Sequence, residues 1–171
     1  GTSPDDPWFI NSYNAKIEIL NYLKKHQEAY AIAKQVYDMC KSFKKEDDEV
    51  FGYTFIAMAK SELGLGKLDQ ASEHINQAIS IFLADERRNP KDADYSEDPY
   101  LAASYVIQGD ILFAQDNVKA AIEYYNKAYS IYHYLYRDNR KNVAQVSDLY
   151  SQGAKASCKA KNLHSYKFFG K

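Results

Sequence analysis

Apolar residues recur along this chain at intervals of three and four, broken by short polar segments, which is the pattern of amphipathic helices. It is clearest over residues 105–132, where two such patterns meet at the polar break Gln115-Asp116-Asn117. Tyr105, Gly109 and Leu112 recur before the break, and Ala121, Tyr125 and Ala128 after it. Small residues on one helix facing large ones on the other let two antiparallel helices approach closely. The apolar faces exceed what a single hairpin can hide, so this hairpin requires neighbours.

The same reading predicts helices over about residues 7–24, 28–43, 49–63, 68–86, 99–114, 118–136 and 142–160, with a short piece over 163–169. Asp5-Asp6-Pro7 and Asp98-Pro99 both read as an acidic N-cap followed by proline in the first turn. His26-Gln27 and Gly64-Leu65-Gly66 read as turns, and Lys44-Lys45 suits a helix C-terminus. The run of residues 44–49, KKEDDE, changes sign where one helix stops and the next starts, so caps and solvent account for it. Residues 87–97, RRNPKDADYSE, form a polar insertion. The last piece, 163–169, is half the length of its counterparts and leads through Lys161-Asn162. It either caps the array or is a cut end, and the apolar SYKFF favours the cut, since capping repeats show a polar outer face.

The hairpin pattern recurs. Stepping back 50 residues from Ala121 reaches Ala71, with Phe55, Met58, Ala59, Ile75 and Ala78 in matching places; another 42 back is Ala29, with Tyr13, Leu20, Ala33 and Val36. Forward 44 lies Ser165, preceded by Leu149, Gly153 and Ala156 and followed by Phe169. The earliest copy matches least well, because Ile17 holds the small-residue place and Ala33 the aromatic one. This pattern resembles the tetratricopeptide repeat: large, small, large on the first helix, then alanine, aromatic, alanine on the second. In the central hairpin six of the eight signature places fit; Gln108 replaces the usual leucine and His133 the usual proline. Without that proline the second helix is expected to run on through Leu135. The spacing exceeds the usual repeat of about 34 residues, as in the long-helix variety seen in kinesin light chains and in bacterial peptide-sensing regulators. The resemblance implies an all-α, right-handed superhelical solenoid of antiparallel helix pairs. It would hold about three and a half repeats (7–43, 49–86, 98–136, 142–170) in a single domain spanning 1–171.

Composition narrows the function. At 171 residues the chain is one domain's worth, long enough for a continuous core. A net charge of −1 gives no footprint for nucleic acid. No apolar run approaches a membrane span. GTSPDDPW lacks the regions of a signal peptide; Gly1 in place of Met points to a trimmed chain, from which such a leader would be gone. Cys40 and Cys158, far apart in sequence, read as two buried thiols in a reducing cytosol, so a cytoplasmic location is expected.

Candidate chemistry is sparse. His26, His74, His133 and His164 are scattered without a second ligand at metal spacing and read as turn or surface residues. Gly64-Leu65-Gly66-Lys67 imitates part of a phosphate loop but has Leu68 where the hydroxyl belongs. Oxygen-bearing residues alternate over 92–98 like the start of a calcium loop, yet Glu97 stands where that loop needs glycine and Ala103 where it needs a bidentate glutamate. No enzyme, metal or cofactor is expected.

What remains is surface. In a tetratricopeptide solenoid the first helices line a concave groove. The resemblance places Asn11, Asn14, Glu18 and Asn21 there, then Tyr53, Ile56, Lys60 and Leu63, then Ala103, Val106, Asp110 and Phe113, and finally Ser147, Tyr150 and Ala154. An amide-rich end leading to an apolar centre suits an extended peptide or a partner helix. Lys60 and Asp110 are expected close together across adjacent repeats, pairing with each other or with a ligand. Asn14 and Lys60 alone do not reproduce the carboxylate clamp of the chaperone-binding subgroup. The expected function is a non-enzymatic protein- or peptide-binding scaffold; the alternative is a ligand-sensing or regulatory module of a larger protein. The chain has 16 tyrosines, of which Tyr124, Tyr129, Tyr132, Tyr134 and Tyr136 crowd the helix at 118–136. That crowding reads in two ways: an exposed aromatic face through which the chain self-associates, or rings lying along the next repeat with their hydroxyls in water.

Overall fold

A computed structural model describes residues 7–42, 48–88, 98–138 and 143–169. These residues form helices and no strand: α1 (Pro7–Tyr22), α2 (His26–Lys41), α3 (Glu49–Gly64), α4 (Leu68–Arg88), α5 (Pro99–Ala114), α6 (Val118–Asp138) and α7 (Val143–Phe169). None of these helices is long and apolar enough to cross a membrane. The chain divides into two compact units, Gly1–Asp85 and Glu86–Lys171.

Helix starts follow the expected chemistry where they are described. Asp98 caps α5 by accepting from the Tyr100 N–H at 2.8 Å, and Asp48 caps α3 by accepting from the Val50 N–H at 3.0 Å. The expected caps at Asp5-Asp6 and Lys44-Lys45, and most of the calcium-like stretch, lie outside the described residues. Without a proline at His133, α6 continues to Asp138.

The connections α1–α2, α3–α4 and α5–α6 are the same turn. Lys24, Gly66 and Asp116 take the left-handed conformation, with φ of 63°, 74° and 63°. The next N–H reaches back six residues inclusive: Lys25 to Leu20 O (2.8 Å), Lys67 to Glu62 O (2.9 Å) and Asn117 to Leu112 O (2.8 Å). The inner bonds match too, Lys24 to Asn21 O, Gly66 to Leu63 O and Asp116 to Phe113 O. This is a Schellman termination, which satisfies carbonyls at a helix end while reversing the chain. Ala160 occupies the equivalent place in α7, and there the helix does not stop. The expected break at Lys161-Asn162 is absent, because alanine favours helix and its Cβ penalises the left-handed turn. Gly66 would meet nothing within 4 Å of an added Cβ, so its role is conformational alone. Gly66→Ala is expected to lose about 1–2 kcal/mol in a urea unfolding curve, with α4 otherwise undisturbed.

Each second helix buries the same register: Ala29, Ala33, Val36 and Cys40 on α2; Ala71, Ile75, Ala78 and Phe82 on α4; Ala121, Tyr125, Ala128 and Tyr132 on α6. In the first unit α3 is the central helix, with most of its residues from Phe51 to Glu62 buried. It runs antiparallel to α2, placing Phe51 near Tyr37 and Gly64 near His26, and antiparallel to α4, placing Gly52 against Phe82 and Glu62 against His74. In the second unit α6 packs against both α5 and α7. Ala121, Tyr125 and Ala160 form a buried cluster joined by Val106, Leu112, Ile122 and Leu163.

That second neighbour covers part of the tyrosine-rich face of α6. Tyr132 is buried, Tyr124, Tyr129 and Tyr134 are half-buried, and the Tyr136 side chain lies outside the described set. Gly153 on α7 lies against Tyr132 and Tyr129, while Tyr124 packs on Tyr105 at 5.7 Å between ring centroids. The cysteines also differ from expectation: Cys40 is buried, but Cys158 is exposed on α7.

Candidate functional site

In the first unit α1 and α3 run parallel and side by side. Asn21 Nδ2 donates to Ser61 Oγ at 3.1 Å, and Lys60 Nζ donates to Glu18 Oε1 at 2.6 Å. Helical spacing therefore puts Asn14, Glu18 and Asn21 along one edge of the seam and Lys60 along the other. Asn11 is exposed and Asn14 half-buried; the Asn14 Oδ1 atom is buried without a hydrogen-bond partner. Asn21 is committed at both ends of its amide, since its Oδ1 also meets His26 Nδ1 at 2.9 Å. Tyr53 is half-buried, donates to Glu49 and packs on Phe82. Ile56 is buried and Leu63 half-buried, so both serve the core more than a surface.

In the second unit Asp110 accepts from the Tyr125 hydroxyl at 2.5 Å and from Lys159 Nζ at 2.9 Å. Val106 packs into the cluster around Tyr125, and Phe113 is exposed. Tyr150 lies on α7 with its side chain, like that of Ser147, outside the described set. Lys60 and Asp110, expected to face each other or a ligand, each hold a partner of opposite charge within their own unit.

Burial comes first, and the hydrogen bond and charge of Asp110 after it, in pushing the Tyr125 hydroxyl far above the ordinary tyrosine value of 10.0. Below about pH 10 this residue is neutral in folded and unfolded chains alike, so its contribution is fully present. Above that pH the unfolded chain ionises while the buried hydroxyl does not, and stability falls. Tyr125→Phe is expected to lose about 1–3 kcal/mol at neutral pH and to show a shallower alkaline decline than the unaltered chain. Urea unfolding at a series of pH values from neutrality upward checks both.

Three histidines are more engaged than their scatter suggested. His74 Nδ1 meets Glu62 Oε1 at 2.6 Å and stacks on Phe55, with ring centroids 5.6 Å apart. Glu62 is fully buried, and its Oε2 has no partner. It stands where α1 and α5 carry Leu20 and Leu112, so a signal existed: a carboxylate in an apolar place twelve residues before a histidine. His26 packs its ring over Gly64, and His133 lies beside Tyr129, while His164 is exposed. Among the described residues no three potential metal ligands come together.

A feature the sequence reading missed lies between the second helices α2 and α4. An open groove of about 450 Å³ has Tyr37, Phe51 and Phe55 along its base and Asn76, Gln77, Ser80 and Ile81 along α4. Phe55 holds a core place in the repeat pattern; it and Phe51 are buried, and Tyr37 is the half-buried ring of the three.

No protein-family model matches this chain, and no curated protein matches it.

Proposed function

We propose that this chain is a tetratricopeptide-like solenoid scaffold that binds an extended protein or peptide segment along its first helices. The observation that carries the reading is the threefold recurrence of one unit: a helix, the same Schellman turn, and a second helix with the same four buried places. Such hairpins bury their apolar faces by stacking, which leaves the first helices side by side as a ligand-facing surface. The parallel seam of α1 and α3 supports this. Its exposed Glu18–Lys60 pair contributes about 0–1 kcal/mol, so a ligand can displace it at little cost. Asn11 is exposed and Asn14 half-buried, and their amides at this edge of the seam suit a peptide backbone.

The test is selection of short peptides from a random display library against the immobilised chain, followed by mapping of the best binders on the ¹⁵N-labelled protein. Shifts centred on Asn11, Asn14 and Lys60 are expected, with binding weakened about tenfold by Asn14→Ala combined with Lys60→Glu. Both residues are partly exposed, so the fold should survive. Selected peptides that leave these signals unmoved, or that bind the double variant equally well, would refute the reading.

A further inference from the structure

The outer face of α1 is bare. Ser12, Ala15, Lys16, Tyr22 and Leu23 all fall within about 60° of Ile19 around the helix, and all six are exposed. Ile19, Tyr22 and Leu23, at 60%, 84% and 56%, are three of the five large apolar side chains exposed among the described residues. The water-facing side of an amphipathic helix is ordinarily polar. Ile10 and Ile17 point to the opposite side and are buried, and Glu18 lies off the face, held by Lys60. This face is therefore distinct from the seam of α1 and α3.

The equivalent faces of the other first helices are covered. Aligned on the left-handed turn residues Lys24, Gly66 and Asp116, the places of Ser12, Ala15, Lys16 and Ile19 are Thr54, Ala57, Met58 and Ser61 on α3. On α5 they are Ser104, Ile107, Gln108 and Ile111, and in both helices all four are buried. The hairpin α1–α2 covers α3: Asn21 reaches Ser61 at 3.1 Å, and His26 lies where a Cβ on Gly64 would be 2.3 Å from its ring. α1 carries Tyr22 in the place of that glycine, which blocks a hairpin docked in the same way. A single helix laid along the face meets no such block.

The helix that fits is α1 itself. A two-fold axis through Ile19, the midpoint of the apolar stretch from Ala15 to Leu23, sets two copies antiparallel. Leu23 then shares a level with Ala15 of the second copy, Tyr22 with Lys16, and Ile19 with Ile19. Large meets small, as inside the hairpins, and the lysine lays its stem and charge along the tyrosine ring. No two charges of like sign share a level. We propose that this chain pairs with a second copy of itself through the outer face of α1, antiparallel about Ile19. Such an isologous contact closes at two copies. One helix from each copy buries little area, so the dimer is weak and depends on concentration.

Sedimentation of the chain from micromolar to millimolar concentration is expected to show a reversible equilibrium of monomer and dimer. Ile19→Glu should raise its midpoint at least about tenfold, because the change acts twice at the centre of the contact. The site is exposed, so the circular dichroism spectrum should be unchanged. Leu23→Ala should weaken the dimer, and adding Ala15→Leu should restore it, whereas Ala15→Leu in the unaltered chain should weaken it by overpacking. These residues lie two turns apart on one helix, so the rescue has to arise between copies. A dimer indifferent to Ile19→Glu, or an Ala15→Leu effect equal in both backgrounds, would overturn the proposal. So would a monomer at every concentration, and its binding to anionic lipid vesicles through Tyr22 would then assign the face to a membrane.

Discussion

Phe82→Ala is expected to destabilise the first unit by about 3–5 kcal/mol, measured by urea unfolding. Phe82 is fully buried on α4, with its ring over Gly52 and 5.7 Å from the Tyr53 ring centroid. A Cβ built on Gly52 would lie 2.7 Å from Phe82 Cζ, so ring and glycine are matched in shape. Removing the ring costs its transfer from water and leaves a cavity between α3 and α4 that helices cannot fully close. The match gives a second outcome in the same experiment. Gly52→Ala should destabilise the unaltered chain, whose ring must shift, and stabilise Phe82→Ala, where the methyl enters the void and the helix gains about 0.5–1 kcal/mol over glycine.

Gly109→Val in the second unit should cost about 3 kcal/mol, the upper end for overpacking. An added Cβ would fall 2.5 Å from Tyr125 Cε1. That ring cannot easily swing aside: its hydroxyl is held by Asp110 at 2.5 Å, and Lys159 Nζ lies 5.4 Å from its centroid. The equivalent pair in the first unit is Ala59 with Ile75, both fully buried. The double variant Gly109→Ala with Tyr125→Ile should therefore be more stable than the sum of its single changes predicts, by a coupling of about 0.5–3 kcal/mol. Strict additivity in unfolding curves of the four proteins would contradict the equivalence.

The same pair explains the weak resemblance of the first hairpin. Ile17 and Ala33 hold inverted places relative to Gly109 and Tyr125, yet both are fully buried. Large and small have exchanged sides between packed helices, which conserves the filled volume while breaking the residue pattern. Periodicity also revealed the helices and the continuation of α6 past His133, since both depend on spacing and on the presence or absence of proline. It did not reveal the partners of the candidate site residues. Asp110 read as a groove carboxylate, and its neutralisation by Lys159 depends on how α7 lies against α5 and α6. Tyr124, Tyr129 and Tyr132 exceeded the needs of one buried stripe, and α7 supplied a second neighbour that takes up part of the excess.

By itself the sequence determined what depends on local chemistry. Helical periodicity, aspartate caps before α3 and α5, and the small-against-large alternation of the hairpins are all written within a few residues of where they act. Tertiary structure alone decided what depends on residues tens of places apart. It paired Lys60 with Glu18 and Asp110 with Lys159. It also left an open groove beside Tyr37, between α2 and α4. The reason is that a residue in a helical stripe shows the same pattern whichever neighbour covers it, and only the packing of distant helices decides which one does.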